Sequence, residues 1–193
     1  MRTLITGSNG FLGSYLVHKC EGRALSLLDR GIDNKHPNYP FFQSEINSLN
    51  DYSQALIECS AVIHCAARVH VMDDKVEDPT LLYREVNTSG TLNLAKQAIK
   101  AGVKRFVFIS SIKVNGESSQ LGKPFTSNDP HASQDDYGLS KSEAELQLLE
   151  VAKGSGMDVV IIRPTLVYGP GVKANFASLM NLVSKGIPLP FGC

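Results

Sequence analysis

Short β-branched runs that are apolar at consecutive positions recur along the chain, with helical patterns between them. "TLIT" (3–6), "ALSLL" (24–28), "FFQS" (41–44), "AVIH" (61–64), "RFVFIS" (105–110) and "DVVIIR" (158–163) read as strands. The helical patterns cover about 11–20, 51–59, 79–101 and 137–153. A strand that is apolar on both faces needs cover on both, and neighbouring parallel strands need a crossover long enough to hold a helix. The chain therefore predicts an α/β fold, a doubly wound parallel sheet with helices on both faces. The helix at 79–101 has clear ends: Asp78 as N-cap, Pro79 at the first position and Gly102 just past the last turn. There is no internal repeat. The least regular stretch, "GESSQLGKPFTSNDPHASQDD" (116–136), reads as a long surface loop that delivers the chain to Tyr137.

The first strand runs into "TGSNGFLGSYL", where Gly7, Gly10 and Gly13 lie between a strand and a helix. Glycines there permit a tight turn and close approach of a pyrophosphate, which then meets the free N–H groups of a helix N-terminus. This strand–turn–helix context points to a Rossmann-type dinucleotide site. Asp29 follows the second strand, 22 positions after Gly7, where a carboxylate accepts from the adenosine ribose hydroxyls. It would repel a 2′-phosphate and so favours NAD over NADP. Arg30, beside it, keeps NADP as the alternative.

Tyr137, Lys141, Ala144, Leu148 and Val151 fall on one helical stripe. The last three are ordinary core residues, whereas a phenol and an ammonium are not. Tyrosine titrates near pH 10 and is a poor base at neutrality. A lysine held four residues away on the same rigid helix, with an oxidised nicotinamide, would stabilise the phenolate. The competing reading is an amphipathic helix with a half-buried tyrosine and a snorkelling lysine. Ser110 and Ser111 end the fifth strand, and ligands of parallel sheets bind beyond such carboxyl ends. A serine there can hold a substrate hydroxyl beside the tyrosine, or merely cap a turn.

Composition narrows the classes further. Of 193 residues, 19 basic balance 19 acidic, with no long block of either sign. That argues against nucleic acid or an anionic membrane surface as partner. The apolar runs are too short to span a bilayer. The start, "MRTLITGSNG", lacks the pattern of a signal peptide, so Cys20, Cys59, Cys65 and Cys193 read as reduced thiols of a cytoplasmic protein. Their spacing suggests no metal site.

Six motifs together carry a resemblance: TGSNGFLG, HCAA, the asparagine of "VNTSGT", SSIKVNG, YGLSK and RPTLVYGPG. In that order the chain resembles the extended short-chain dehydrogenases/reductases. Within them it is similar to the NAD-dependent nucleotide-sugar epimerase/dehydratase group, including UDP-glucose 4-epimerases and related 4-keto-sugar reductases. The resemblance implies that Tyr137 is the catalytic base, that Lys141 orients the nicotinamide ribose and tunes Tyr137, and that Ser111 holds the reacting hydroxyl. It implies a cofactor site of Gly7, Gly10, Phe11, Leu12, Gly13, Asp29, Arg30, Glu45, Ile46, Ala66, Ala67, Asn87, Tyr137, Lys141 and Pro164. The implied reaction is 4-epimerisation of a UDP-hexose through a transient 4-keto sugar. A 4-keto reductase and a non-catalytic dinucleotide-binding module are the alternatives. Two departures bear on the reaction. Ile112 and Lys113 occupy the places of the Asp-Glu pair that 4,6-dehydratases use, which argues against dehydration, and Leu166 replaces an asparagine that contacts the sugar diphosphate. Relatives continue past "LPFGC". The chain thus reads as truncated: a cofactor domain over 1–170 and the start of a substrate lobe over 171–193. Leu139, Leu146 and Leu149 form a second apolar stripe on the Tyr137 helix, and with relatives that pair through this helix and the one before it, they imply a homodimer.

Overall fold

The computed structural model describes residues 1–69, 78–172 and 174–186. Six strands form one sheet: β1 (Arg2–Thr6), β2 (Leu25–Asp29), β3 (Phe41–Gln43), β4 (Cys59–His64), β5 (Arg105–Ile109) and β6 (Asp158–Ile162). Their spatial order is β3-β2-β1-β4-β5-β6, and each neighbouring pair is parallel. The chain works outward from β1 in one direction, then returns to β1's other side with β4. That reversal opens a crevice beyond the carboxyl ends of β1 and β4.

The helices are α1 (Phe11–Lys19), α2 (Pro79–Tyr83), α3 (Thr91–Lys100), α4 (Asp136–Ala152) and α5 (Ala174–Ser184). Alternate strand residues feed the two faces of the sheet. Leu4, Val62, Phe106 and Phe108 pack with Leu94 of α3 and Leu148 of α4, whereas Ile5, Leu25 and Leu27 pack with Val17 of α1. Both Phe106 and Phe108 are fully buried, and truncating either to alanine costs about 3–5 kcal/mol. The fold class expected from the sequence is thus the one observed.

Two helical expectations need correction. Residues 51–59 do not form a helix: turns run from 53 to 58 and end in Glu58 with φ of 59°. Tyr52 is the reason. Its ring is buried, and its hydroxyl bonds back to the Glu45 and Asn47 carbonyls and the Asn47 N–H. That anchors the segment to the chain end leaving β3 instead of letting it wind freely. The run from 79 to 101 is not one uniform helix either, because Arg84–Gly90 form a π-helical stretch between α2 and α3. Gly90 there presses so closely on the chain after β3 that a Cβ would lie 2.7 Å from Ile46 Cγ2 and 2.8 Å from Asn47 N. The ends of the run are as expected: Asp78 accepts from the Leu81 N–H, and Gly102 takes φ of +78°.

Candidate active site

At the carboxyl end of β1, Gly7 adopts φ of +66°, a conformation that suits glycine. A Cβ on Gly7 would sit 2.8 Å from the Ala66 N, and one on Gly13 would sit 2.0 Å from the Gly7 carbonyl oxygen. The turn is closed so tightly that α1 starts directly against the strand. Gly10 donates to the Gly7 carbonyl and accepts from Ser14. Ser8 Oγ is buried with no hydrogen-bond partner among the described residues, and so is Asn9 Oδ1. The Ser8 hydroxyl, a donor without a partner at a helix N-terminus lined by glycine, fits the diphosphate of a dinucleotide, whereas Asn9 Oδ1 is an acceptor and does not. Phe11 is largely exposed and Leu12 half-buried at the mouth of this cradle.

Asp29, the last residue of β2, accepts from the Asn9 N–H at 3.0 Å and the Gly31 N–H at 2.9 Å. Its carboxylate braces the turn. Arg30 is exposed beside it. Glu45 is exposed, and its carbonyl receives Tyr52 and Asn50, while Ile46 is a core residue. Any role of Ile46 toward a cofactor therefore falls to its backbone.

A directed chain of hydrogen bonds sets the other wall of the cradle. The Ala66 N–H donates to Thr6 Oγ1 at 3.2 Å, and Thr6 Oγ1 lies 2.6 Å from His64 Nδ1. His64 Nε2 lies 2.9 Å from Thr91 Oγ1, which donates to the Asn87 carbonyl at 2.7 Å. Because Thr91 gives its proton to Asn87, it must accept from His64. The imidazole is therefore the neutral Nε2–H tautomer, with Thr6 donating to Nδ1. Burial, seconded by Lys141, lowers the His64 pKa to about 3. Ala66 is thereby fixed against Gly7, with the half-buried Ala67 following.

The resemblance alone puts Asn87 near a nicotinamide. In the structure it is fully buried and works as a three-way tie: its Oδ1 accepts from the Arg68 N–H, and its Nδ2 donates to the Arg68 carbonyl and to Ser140 Oγ. It joins the segment after β4 to α4 behind the site.

The polar pair of the α4 stripe lies on the side of that helix turned toward the end of β5. Asp135 caps the helix by accepting from the Gly138 N–H at 2.6 Å, and also pairs with Lys113. Gly138 packs closely there: a Cβ would lie 3.0 Å from the Lys113 carbonyl oxygen and from the Asp135 carboxylate. Tyr137 packs edge-on against Tyr83, with centroids 6.3 Å apart. Its pKa is raised, chiefly by burial and secondarily by Asp135, while hydrogen bonding to Ser111 and the charge of Lys113 pull it down. Ser111 also accepts from the Lys113 N–H, so it caps a turn and addresses the tyrosine at once. Lys141 lies one turn further along α4. It is buried to 1% exposure, gives its ammonium to the Ile109 carbonyl at 2.9 Å, and lies 4.5 Å over the Phe108 ring. Burial brings its pKa down to about 7. The snorkelling alternative is thus excluded. Pro164 follows β6, and its carbonyl accepts from the Ile112 N–H at 3.0 Å, which ties it to the Ser111 turn.

Sequence reasoning missed Glu145, four residues after Lys141 on the same helix and 1% exposed. A carboxylate within a core stripe was the available signal. Among the described residues, Cys20, Cys59 and Cys65 are free thiols, and no group of His, Cys, Asp or Glu is arranged to hold a metal. Cys193 lies outside the described residues. No helix of the described residues is long and apolar enough to cross a membrane.

Comparison with known proteins places this geometry. Residues 3–187 match the NAD dependent epimerase/dehydratase family. The chain is 60% identical over 192 residues to a UDP-glucose 4-epimerase of Vibrio cholerae, covering 98% of this chain and 58% of that protein. It is 30% identical over 186 residues to a dTDP-glucose 4,6-dehydratase of Streptomyces antibioticus, covering 88% of this chain and 54% of the relative. Its fold superposes on the UDP-glucose 4-epimerase of Thermus thermophilus, crystallised with NAD, with a TM-score of 0.80 at 29% identity over 98% of this chain and 64% of that one. The chain thus spans little more than half the length of these relatives. On its glycine cradle, its parallel sheet and this match, the chain belongs to the NAD dependent epimerase/dehydratase family.

Proposed function

We propose that this chain is the cofactor-binding and catalytic part of an NAD-dependent UDP-hexose 4-epimerase, with UDP-glucose and UDP-galactose as the substrate pair. The observation that carries the reading is a buried tyrosine on α4 eased by Ser111, with the buried Lys141 one turn along, beside a glycine cradle in which the Ser8 hydroxyl has no partner among the described residues. The identity to the Vibrio cholerae enzyme supports the finer assignment. Gly7, Gly10 and Gly13 would hold the diphosphate and Asp29 the adenosine ribose, which favours NAD over NADP. Bound NAD supplies a reversible hydride acceptor for the sugar C4.

Ser111 would hold the C4 hydroxyl by hydrogen bonding, and Tyr137 would take its proton and later return it to the same C4 oxygen, the change of configuration coming from hydride returned at the opposite face of C4. In the ligand-free site Tyr137 is held protonated by burial, and a positive charge brought beside it would release the phenolate. The buried Lys141 is placed to orient the nicotinamide ribose once its ammonium leaves the Ile109 carbonyl. Ile112 and Lys113 supply no acid–base pair for water loss, and Lys113 is occupied by Asp135 and Glu117. Residues 171–193 would begin the substrate lobe, with 1–170 as the cofactor domain.

We assign the protein to the cytoplasm from its free thiols, and propose a homodimer through α4 and the 79–100 helical run. Leu139, Leu146 and Leu149 are 38%, 58% and 50% exposed, so the described residues leave them partly open. Leu81 of α2 adds a further exposed side chain at 61%.

A redox-balance assay tests the reaction. Interconversion of UDP-galactose and UDP-glucose with no net change in NADH is expected. Stoichiometric consumption of NADH would assign a 4-keto reductase instead. Tighter calorimetric binding of NADP than of NAD would remove the role given to Asp29.

A further inference from the structure

A carboxylate buried in a packed interior is costly unless fully partnered, and even a paired one adds little stability over apolar residues of similar volume. Glu145 is such a group, and its partners are the informative feature. Its Oε1 accepts from Ser110 Oγ and from Arg163 Nε at 3.0 Å. Its Oε2 accepts from Arg163 Nε at 3.1 Å and from the same guanidinium's Nη2. The rest of the guanidinium is used as well: Nη1 donates to Asn115 Oδ1 at 3.2 Å, and Nη2 lies 2.7 Å from His131 Nε2. His131 in turn is 2.7 Å from Ser142 Oγ of α4, which holds the long loop against the helix.

The three elements joined here are those that carry the chemistry. Ser110 precedes Ser111 at the end of β5, Arg163 precedes Pro164 after β6, and Glu145 lies two turns along α4 from Tyr137 and one from Lys141. We propose that Glu145 is a positioning residue for the reaction: clamped by Arg163 and Ser110, it locks the register of Ser111 against the helix that bears Tyr137 and Lys141. Planar, bidentate pairing fixes direction as well as distance, which a greasy filler at the same place could not do. A slip of about 1 Å between hydroxyl and phenol costs on the order of a hundredfold in rate.

The same carboxylate serves Lys141. The ionisable groups bearing on that ammonium are Cys65 and His64 from the end of β4 and Glu145 from α4. Burial pushes the Cys65 thiol up to about 12, and His64 is neutral; Glu145 lies on the same helix as Lys141, four residues along. It favours the charged form of Lys141 against the effect of burial.

The role in turnover rests on the epimerase reading, whereas the effect on Lys141 does not, and the test uses both. Ser110→Ala keeps the Arg163–Glu145 pair and should fold. We expect it to lower kcat roughly tenfold to a hundredfold with little change in KM. Glu145→Gln should shift the titration of Lys141, followed by its 13Cε resonance in the ligand-free protein, to lower pH. A structural filler would change the melting temperature and leave that midpoint in place. Should Glu145→Gln fail to fold, Glu145→Asp keeps the charge and shortens the reach, and should lose kcat as Ser110→Ala does. A Ser110→Ala protein with wild-type kcat, or a folded Glu145→Gln protein with an unmoved Lys141 midpoint, overturns the proposal. Absence of epimerisation in the wild type would remove the substrate reading, and the Lys141 midpoint would still decide the role of Glu145.

Discussion

His64 makes the stability of this fold depend on pH in a way that can be calculated. It is fully buried between Thr6 and Thr91, and both ring nitrogens are used in the neutral form. Its pKa falls from 6.5 to about 3 on folding, so between those values the unfolded chain binds the extra proton. Stability is therefore greatest above pH 6.5 and declines as pH falls toward 3. Linkage makes this loss about 1.4 kcal/mol between pH 7.5 and 5.5, and about 2.7 kcal/mol by pH 4.5. The first figure depends only on the unfolded value, since the folded imidazole stays neutral throughout that interval. In a chain of this size it corresponds to about 3–6 °C in Tm. Urea unfolding followed by circular dichroism at the two pH values, for wild type and His64→Asn, isolates the effect, because every other histidine is common to both. The variant starts lower, by about 1–3 kcal/mol for each buried hydroxyl left unpaired. Its decline from pH 7.5 to 5.5 should nevertheless be smaller than the wild type's by about 1.4 kcal/mol, the linkage figure above. Equal declines in the two proteins would refute a buried neutral His64, as would an imidazole NMR signature of protonation near pH 5.5.

Lys141 shows the reverse relation between stability and function. Its pKa falls from 10.5 to about 7 on folding, so the unfolded chain binds the extra proton between these values and stability rises with pH across them. Lys141→Met should raise the ligand-free Tm at pH 7, abolish that rise and weaken NAD binding in calorimetry; an unchanged or lower Tm would contradict a desolvated ammonium. Gly13→Ala forces a Cβ to 2.0 Å from the Gly7 carbonyl, so it should cost about 3 kcal/mol in urea unfolding and eliminate dinucleotide binding. Wild-type binding and stability in that variant would mean that the cradle is looser than described. Leu146→Glu should run as a folded monomer in sizing chromatography with light scattering while the parent runs as a dimer, and a monomeric parent at high concentration would remove the interface.

What the sequence determined by itself is what local physics dictates. Strands apolar on both faces require a covered parallel sheet, and the glycines at 7, 10 and 13 fit only a turn too close for side chains. Tyr137 and Lys141 share a helical face by spacing alone, and Asp78 begins a helix wherever the rest of the chain goes. Tertiary structure decided what depends on partners distant in sequence. Tyr52 kept 51–59 from becoming a helix because its hydroxyl finds backbone left by β3. The π-helical stretch at 84–90 accompanies Gly90 pressed on Ile46 and Asn47. Asn87, placed near a cofactor by family resemblance, is spent on Arg68 and Ser140. Lys141 points its charge at a β5 carbonyl, which no spacing rule reveals, and the exposure of Leu139, Leu146 and Leu149 appears only once the neighbouring helices have taken their places. Glu145 and Arg163 lie 18 positions apart, and no spacing rule pairs them. Only the crossover from α4 to β6 brings them together, and burial then turns two ordinary charges into the clamp beneath the active site.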